Sequence, residues 1–334
     1  MDQTNDLTIS VAKNSHLCEL TWLRFVPYVE SLKRSGFKGT KLMFVSGLSA
    51  EIRQNLTTAG FKLVDFVPSP GAFGFVRLVP VRDFLNEHAD EYRYVLCTDW
   101  PDLVFQTNPS TWLEQHAGQH KLFVGTDCIQ IKNGGANSPW VRRLADDTMY
   151  EWLKEEDACC CGVIIGEAQV MKSLMNKMYD YLIKDDTLID QGVLNYLLRV
   201  SPYKEVTRIP RLEEGLIAGM AWTLSKSAPV EHWTNPFPRL DRETGLVYPA
   251  GKDDPFCIVH QYNRYDPVTM NPEWWGIIFR RYTGGDIPEI IMFPADDRDP
   301  SRFAPGRMNV QSVQASQADI AKRSLRRPPR WRPS

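Results

Sequence analysis

Apolar positions in the first hundred residues alternate between two periods. Residues 7–12 (LTISVA), 41–46 (KLMFVS), 61–67 and 94–98 are short runs rich in β-branched and aromatic side chains, and they predict strands. Between them, residues 17–33 place Leu20, Leu23, Val26 and Val29 at helical spacing. Residues 50–59 form a short helical pattern closed by Gly60, and residues 76–91 are helical. A strict strand–helix alternation predicts an α/β protein: a three-layer sandwich around a mostly parallel, Rossmann-like sheet.

The pattern loosens after residue 102. Residues 121–126 predict a strand, 132–138 a Gly/Asn loop, 139–154 a helix and 162–166 a buried strand. A Met-rich helix follows over 168–183, with Met171, Leu174, Met175 and Met178 at core spacing, then a helix over 191–199. From 203 to 282 the chain is rich in Pro, Trp and short strands, as in an irregular lobe closing over a site. The expected organisation is a single domain over 1–296, with a nucleotide-binding half over about 1–130 and an acceptor or closing half over 131–296. Residues 297–334 are Pro-, Arg- and Ser-rich, with too little apolar content to pack, and predict a mobile basic tail.

Composition narrows the function classes. The 334 residues carry a net charge of −2, which gives no support for nucleic-acid binding. The start of the chain is polar and acidic, unlike a signal or transit peptide, and no apolar run approaches the roughly 20 residues that span a bilayer. A soluble, cytoplasmic protein is expected, with peripheral membrane contact through the basic tail as an option. Seven cysteines, three of them consecutive at Cys159–Cys161, match neither a zinc tetrad nor a disulfide framework, and read as small, reduced, buried residues.

Candidate chemistry begins where the fourth strand ends. Pro101 stops the ladder, and Asp99 and Asp102 stand at the strand's C-terminal end, where open α/β sheets bind ligands. Two carboxylates there suit a hard divalent cation that bridges phosphates. Arg82, in the helix feeding this strand, is a candidate to return a guanidinium to a phosphate or ribose, and Arg77 is an equal candidate earlier in the same helix. Asp190 and Gln191 open a helix; alone, Asp190 reads as an N-cap. Residues 256–260 are a buried strand ending in His260, whose imidazole beside two carboxylates suits Mn²⁺.

The order strand–Asp99-Trp100-Pro101-Asp102, then Gly162-Val163-Ile164-Ile165, then Asp190-Gln191-Gly192-Val193-Leu194-Asn195, then Ile258-Val259-His260 resembles GT-A fold glycosyltransferases. It is most similar to the retaining, family-8-like group, over roughly residues 7–265. The resemblance implies Mn²⁺ (or Mg²⁺) held by Asp99, Asp102 and His260, with Asp99 also seating the ribose. Ala12, Lys13 and Asn14 would cradle the nucleobase and ribose, and Arg82 would contact the donor. Gln191 would lie near the anomeric carbon, and Asp190 would orient the donor sugar. Three departures accompany it. Two residues rather than one separate the acids, and Cys160 replaces an Asn. After His260, Gln261-Tyr262-Asn263-Arg264-Tyr265 replaces a Gly- and Lys-containing phosphate loop, leaving Arg264 to supply the cation.

The function implied is metal-dependent transfer of a sugar from a nucleotide-sugar donor, a UDP-sugar, to a glycan or lipid-linked hydroxyl acceptor, with retention. The non-enzyme alternative is a GT-A-like protein that binds nucleotide sugar or glycan without turnover. A sugar nucleotidyltransferase ranks last, because residues 11–16 are not the Gly-rich, basic loop that class carries after its first strand.

Overall fold

In a computed structural model of the chain, four parallel strands lie beside one another: β1 (Leu7–Lys13), β2 (Thr40–Ser46), β3 (Phe61–Asp65) and β4 (Tyr94–Thr98). The structure describes residues 2–13, 20–68, 73–185, 187–220, 230–263 and 272–287. Alternation along β1 shows why the sheet forms here. Leu7 and Ile9 enter one core, whereas Thr8 and Ser10 are buried on the other face, where Thr8 Oγ1 and Thr98 Oγ1 lie 3.3 and 2.8 Å from the Tyr28 hydroxyl. The expected third strand is shorter than its pattern, ending at Asp65.

Beyond β4 the chain departs from a simple parallel count. β5 (Leu103–Phe105) leaves the main sheet. β6 (Leu122–Gln130) extends past the expected strand end at residue 126, and β7 (Asp157–Glu167) runs antiparallel between β4 and β6. With β8 (Thr207–Arg208) at one edge, the order is β3-β2-β1-β4-β7-β6-β8. A second sheet sets β12 (Ile258–His260) antiparallel to β5 and parallel to β9 (Ile217–Gly219). Between β9 and β12, β10 (Arg239–Leu240) and β11 (Val247–Tyr248) form a short antiparallel pair.

Helices cover both faces. α1 (Trp22–Arg34) buries Phe25, Tyr28, Val29 and Leu32 with α2 (Ala50–Thr58) on one side; α3 (Phe73–His88) lies on the other. α2 starts at a Ser49 cap whose hydroxyl accepts from Ile52 N–H, and Gly60 follows it at φ +85°, a left-handed turn that glycine adopts without a Cβ clash. α4 (Pro109–His116) starts at Asn108, which caps Ser110. The helix expected over 139–154 is two, α5 (Asn137–Arg142) and α6 (Asp147–Leu153). The break falls where the Asp146 side chain accepts from Met149 N–H and starts a new helix. α7 (Ala168–Leu182) buries Met171, Leu174, Met175 and Met178 as its spacing predicts. α8 (Asp190–Leu197), α9 (Tyr203–Val206) and α10 (Pro272–Thr283) complete the described helices. Trp274 and Trp275 of α10 are core residues of the lobe built on the second sheet. None of the described helices is long and apolar enough to cross a membrane.

Candidate metal and donor site

The two sheets meet at the acidic turn, and their register determines which side chains converge. β12 pairs antiparallel with β5, so His260 lies opposite Leu103, and the Gln261 N–H donates to the Asp102 carbonyl at 2.6 Å. On the other side Thr98 pairs with Val163 of β7, and the Asp99 N–H donates to the Gly162 carbonyl at 2.7 Å. Trp100 stacks on Phe25 of α1 with centroids 4.0 Å apart. Trp100 thus packs the turn against α1, and the wider spacing still leaves Asp99 and Asp102 facing the same side.

Ligand atoms of Asp99, Asp102 and His260 all lie within 4.8 Å of one another. His260 Nε2 is 3.6 Å from Asp102 Oδ1 and 3.8 Å from Asp99 Oδ2, too far for a hydrogen bond to either. Although the ring is 1% exposed, Nε2 has no hydrogen-bond partner. A buried polar atom left unsatisfied is costly, and one aimed at two carboxylates fits a divalent cation that takes nitrogen as well as oxygen. Gly162 makes the space. A Cβ at this position would fall 2.5 Å from His260 Nε2 and 2.8 Å from Asp99 Oδ2, so any side chain would enter the cluster.

Arg77, not Arg82, returns to the acids. Its guanidinium pairs with Asp99 Oδ1, donates to Asp190 Oδ2 at 2.7 Å, and lies 3.0 Å from the Cys161 sulfur. Arg82 donates to Asp83 and stacks its guanidinium 3.5 Å above the Tyr179 ring, on the side of α3 turned towards α7. The expectation for Arg82 is therefore corrected. Five positions along a helix are about 140° of rotation at 3.6 residues per turn, so the two arginines cannot serve one site. Burial alone would pull the Arg77 guanidinium down, but Asp99, Cys161 and Asp190 together hold it well above its ordinary value, a permanent cation.

Asp190 is not an N-cap: Ile189 occupies that position and Asp190 is the first residue of α8. Its side chain is turned to Arg77 and accepts its neighbour's N–H through Oδ1. Gln191 donates from Nε2 to Asp127 Oδ2 at 3.0 Å and to Asn137 Oδ1 at 2.8 Å. Gly192, behind it, permits α8 to press on α5, since a Cβ there would meet Trp140 at 2.8 Å.

Asp127 is a site residue that sequence reasoning missed. It is 4% exposed and is held by Gln191 and Asn137, whose Nδ2 donates at 3.3 Å. Burial raises its carboxyl above the ordinary range, opposed by Asn137, His260, Cys160 and Gln191. The expected strand ended at residue 126, although an acidic residue directly after a short strand with an apolar centre is the same signal that marked Asp99. The next residue, Cys128, has φ +59°, and Gln261, following His260, has φ +61°. Left-handed non-glycine residues of this kind cost about 1–3 kcal/mol and collect at functional sites.

β7 carries the thiols into the same place. Val124 of β6 pairs with Ile164 but Thr126 pairs with Cys159, so residues 160–163 bulge opposite Gly125, and Cys160, Cys161 and Gly162 of the bulge border the site. Cys97, Cys128, Cys159, Cys160, Cys161 and Cys257 are all free and buried, as expected of them. Cys160 Sγ lies 3.7 Å from His260 Nδ1. Burial pushes the Cys160 and Cys161 thiols well above their ordinary range, so both stay protonated.

Of the other expected residues, Ala12 and Lys13 end β1, the parallel neighbour of β4, beside the acidic turn. The Ala12 side chain is buried in the core and Lys13 is exposed. Asn14, Arg264 and the basic tail lie outside the described residues.

No family model matches the chain, and a search of curated proteins finds no match. Solved structures do match. The chain is similar to a crystal structure of an active-site mutant of LgtC, with TM-score 0.53 and 14% identity over 85% of this chain and 98% of that one. A second, of galactosyltransferase LgtC with donor and acceptor sugar analogues, gives TM-score 0.49 and 13% identity over the same shares. The first likeness and the strand order together establish a GT-A, Rossmann-like α/β fold.

Proposed function

We propose that this protein is a glycosyltransferase that moves a sugar from a nucleotide-sugar donor, a UDP-sugar, to a hydroxyl acceptor such as a glycan or a lipid-linked sugar. The observation that carries this reading is the orphaned His260 Nε2 facing Asp99 Oδ2 and Asp102 Oδ1 at the C-terminal ends of parallel strands. Its fold is shared with LgtC, which supports the same reading by analogy of architecture.

Asp99, Asp102 and His260 would hold Mn²⁺ or Mg²⁺, which, when bound, neutralises the diphosphate leaving group as a Lewis acid. Arg77 withdraws one Asp99 oxygen and orients the other towards His260, so the carboxylate cannot rotate away from the cluster. It also fixes Asp190 at the start of α8, one residue before Gln191. In the reaction the bond from the sugar's anomeric carbon to the diphosphate oxygen breaks and a bond to the acceptor oxygen forms. The acceptor proton leaves with the released nucleotide or to solvent. Asp190 and Gln191 are assigned to orient the sugar, with Gln191's amide kept in place by Asp127 and Asn137. Retention of configuration is carried by the family resemblance. Ala12 and Lys13 are assigned to the nucleoside, from the end of the strand next to the acidic turn.

The test is a screen of nucleotide sugars for released UDP or GDP in Mn²⁺, Mg²⁺ or EDTA, with Asp102→Asn beside the natural chain. EDTA-sensitive release from one donor, lost in the variant, is the expected result and names the sugar. UDP binding in Mn²⁺ without release, in the presence of a broad acceptor panel, would point to the non-catalytic reading. Absence of nucleotide binding would sink the assignment.

A further inference from the structure

The metal reading says nothing about how His260 is held. A histidine ligand must offer a lone pair, so its proton must sit on the other ring nitrogen, and that proton needs an acceptor of its own. Among the described residues the other nitrogen, Nδ1, makes no hydrogen bond to a backbone carbonyl or a carboxylate, the usual partners. Its neighbour is the sulfur of Cys160, 3.7 Å away and buried in the β7 bulge.

We infer that Cys160 is a positioning residue: its sulfur accepts the His260 Nδ1–H and so keeps the ring in the tautomer that presents the Nε2 lone pair to the Asp99–Asp102 pair. Three observations bear on the direction of this bond. First, Nε2 has no partner and its nearest carboxylate oxygens stand at 3.6 and 3.8 Å, so an Nε2–H would be a buried, unsatisfied donor. Second, the Cys160 thiol lies against the Asp127 carboxyl and helps to stabilise its charge, which gives the S–H an acceptor and leaves the sulfur lone pairs for Nδ1–H. Third, Gly162 lets the β7 backbone approach the ring closely on the Nε2 side, where a Cβ would fall 2.5 Å from Nε2, so this edge of the ring faces the acids and glycine backbone. The protons are then placed without a spare: Nδ1–H to sulfur, S–H to Asp127, and Gln191 Nε2–H to Asp127 as well. The chain of contacts runs from the proposed metal ligand to the proposed sugar-facing glutamine through one thiol and one carboxylate.

The placement of the ring proton stands on the geometry alone; its consequence for metal affinity rests on the proposed function. The experiment separates them. Two-bond ¹H–¹⁵N correlation spectra of the metal-free protein report the tautomer of each histidine, with His260 assigned by its absence in His260→Asn. Mn²⁺ titration followed by electron paramagnetic resonance reports affinity on the same samples. The natural chain is expected in the Nδ1–H form. Cys160→Ala is expected to shift His260 towards the Nε2–H form and to weaken Mn²⁺ binding by about 10–100-fold, the range for losing a partner behind a metal ligand. Cys160→Ser, which keeps a group able to accept, is expected to fall between them, and its spectrum decides the matter if the alanine variant does not fold. An Nε2–H form in the natural chain, or an unchanged tautomer in both variants, would overturn the inference. The expected tautomers with no Mn²⁺ binding by the natural chain would uphold it and remove the metal reading instead.

Discussion

Arg77 and Asp190 are 113 positions apart in the chain, yet they are joined by a 2.7 Å ion pair at the floor of the candidate site. The same guanidinium holds Asp99, so one side chain of α3 ties the end of β4 to the start of α8. Leu78, Val81, Cys97, Ile164, Met175 and Met178 line a narrow cavity that the pair also borders, so its surroundings are largely apolar.

Removing Arg77 leaves two carboxylates facing each other in that apolar setting. Breaking a buried ion pair in this way costs about 3–5 kcal/mol. Arg77→Ala is therefore expected to lower the unfolding midpoint in denaturant and to lose donor turnover by at least about 100-fold through misplaced Asp99 and Asp190. Arg82→Ala, whose guanidinium rests on Tyr179 and Asp83, is expected to keep turnover within about twofold. Equal losses in the two variants, measured as released UDP per folded molecule, would refute the assignment of Arg77.

Gly162→Ala tests the space around the cluster. The added methyl would fall 2.5 Å from His260 Nε2 and 2.8 Å from Asp99 Oδ2, so one ligand must move. Mn²⁺ affinity is expected to drop by at least about 10-fold while the circular dichroism spectrum stays that of a mixed α/β protein. Undiminished Mn²⁺ binding would mean that the cation, if it binds, sits elsewhere.

Asp127 predicts a pH dependence of stability. Burial raises its carboxyl above the ordinary value of 3.8, so the folded state takes up its proton more readily than the unfolded state. Its contribution is thus fully present below the unfolded value and is lost as pH rises through the folded one. Asp127→Asn, which removes the buried charge but keeps an oxygen for Gln191 and Asn137, is expected to unfold at a higher temperature than the natural chain at neutral pH. The difference should shrink as pH falls and vanish only well below the unfolded value of about 4, where the natural carboxyl is protonated in both states. A gain that grows on acidification would show the opposite sign and exclude a raised carboxyl.

The thiols should be inert in the folded protein. Burial pushes Cys97 and Cys257 up to about 11, and the sulfurs of Cys159, Cys160 and Cys161 are enclosed on both faces of β7. Iodoacetamide at neutral pH is expected to leave the six described cysteines unmodified until denaturant is added, as read by peptide mass mapping. Native labelling of Cys160 or Cys161 would reveal an opening of the β7 bulge that the structure does not contain.

Sequence alone determined the alternating strands and helices of the first hundred residues, the Met-rich core helix and the acidic strand end. Each of these is written in local periodicity: a strand buried on one face shows every second residue, a packed helix every third or fourth. Asp99 and Asp102 were legible because a carboxylate directly after an apolar run and a proline is a local pattern. Tertiary structure decided the rest. Which arginine of α3 reaches the acids depends on the helix's rotation about its axis against the sheet, and the periodicity of a helix with two arginines among apolar residues does not set that angle. That Asp127 is buried depends on β6 continuing past residue 126 beneath α5 and α8, contacts made by residues 10 and 64 positions away. His260 meets the acids only because β12 takes its register from β5, a pairing between residues more than 150 positions apart. Local sequence carries the period of an element; the site is made of distances between elements, and those are set by packing.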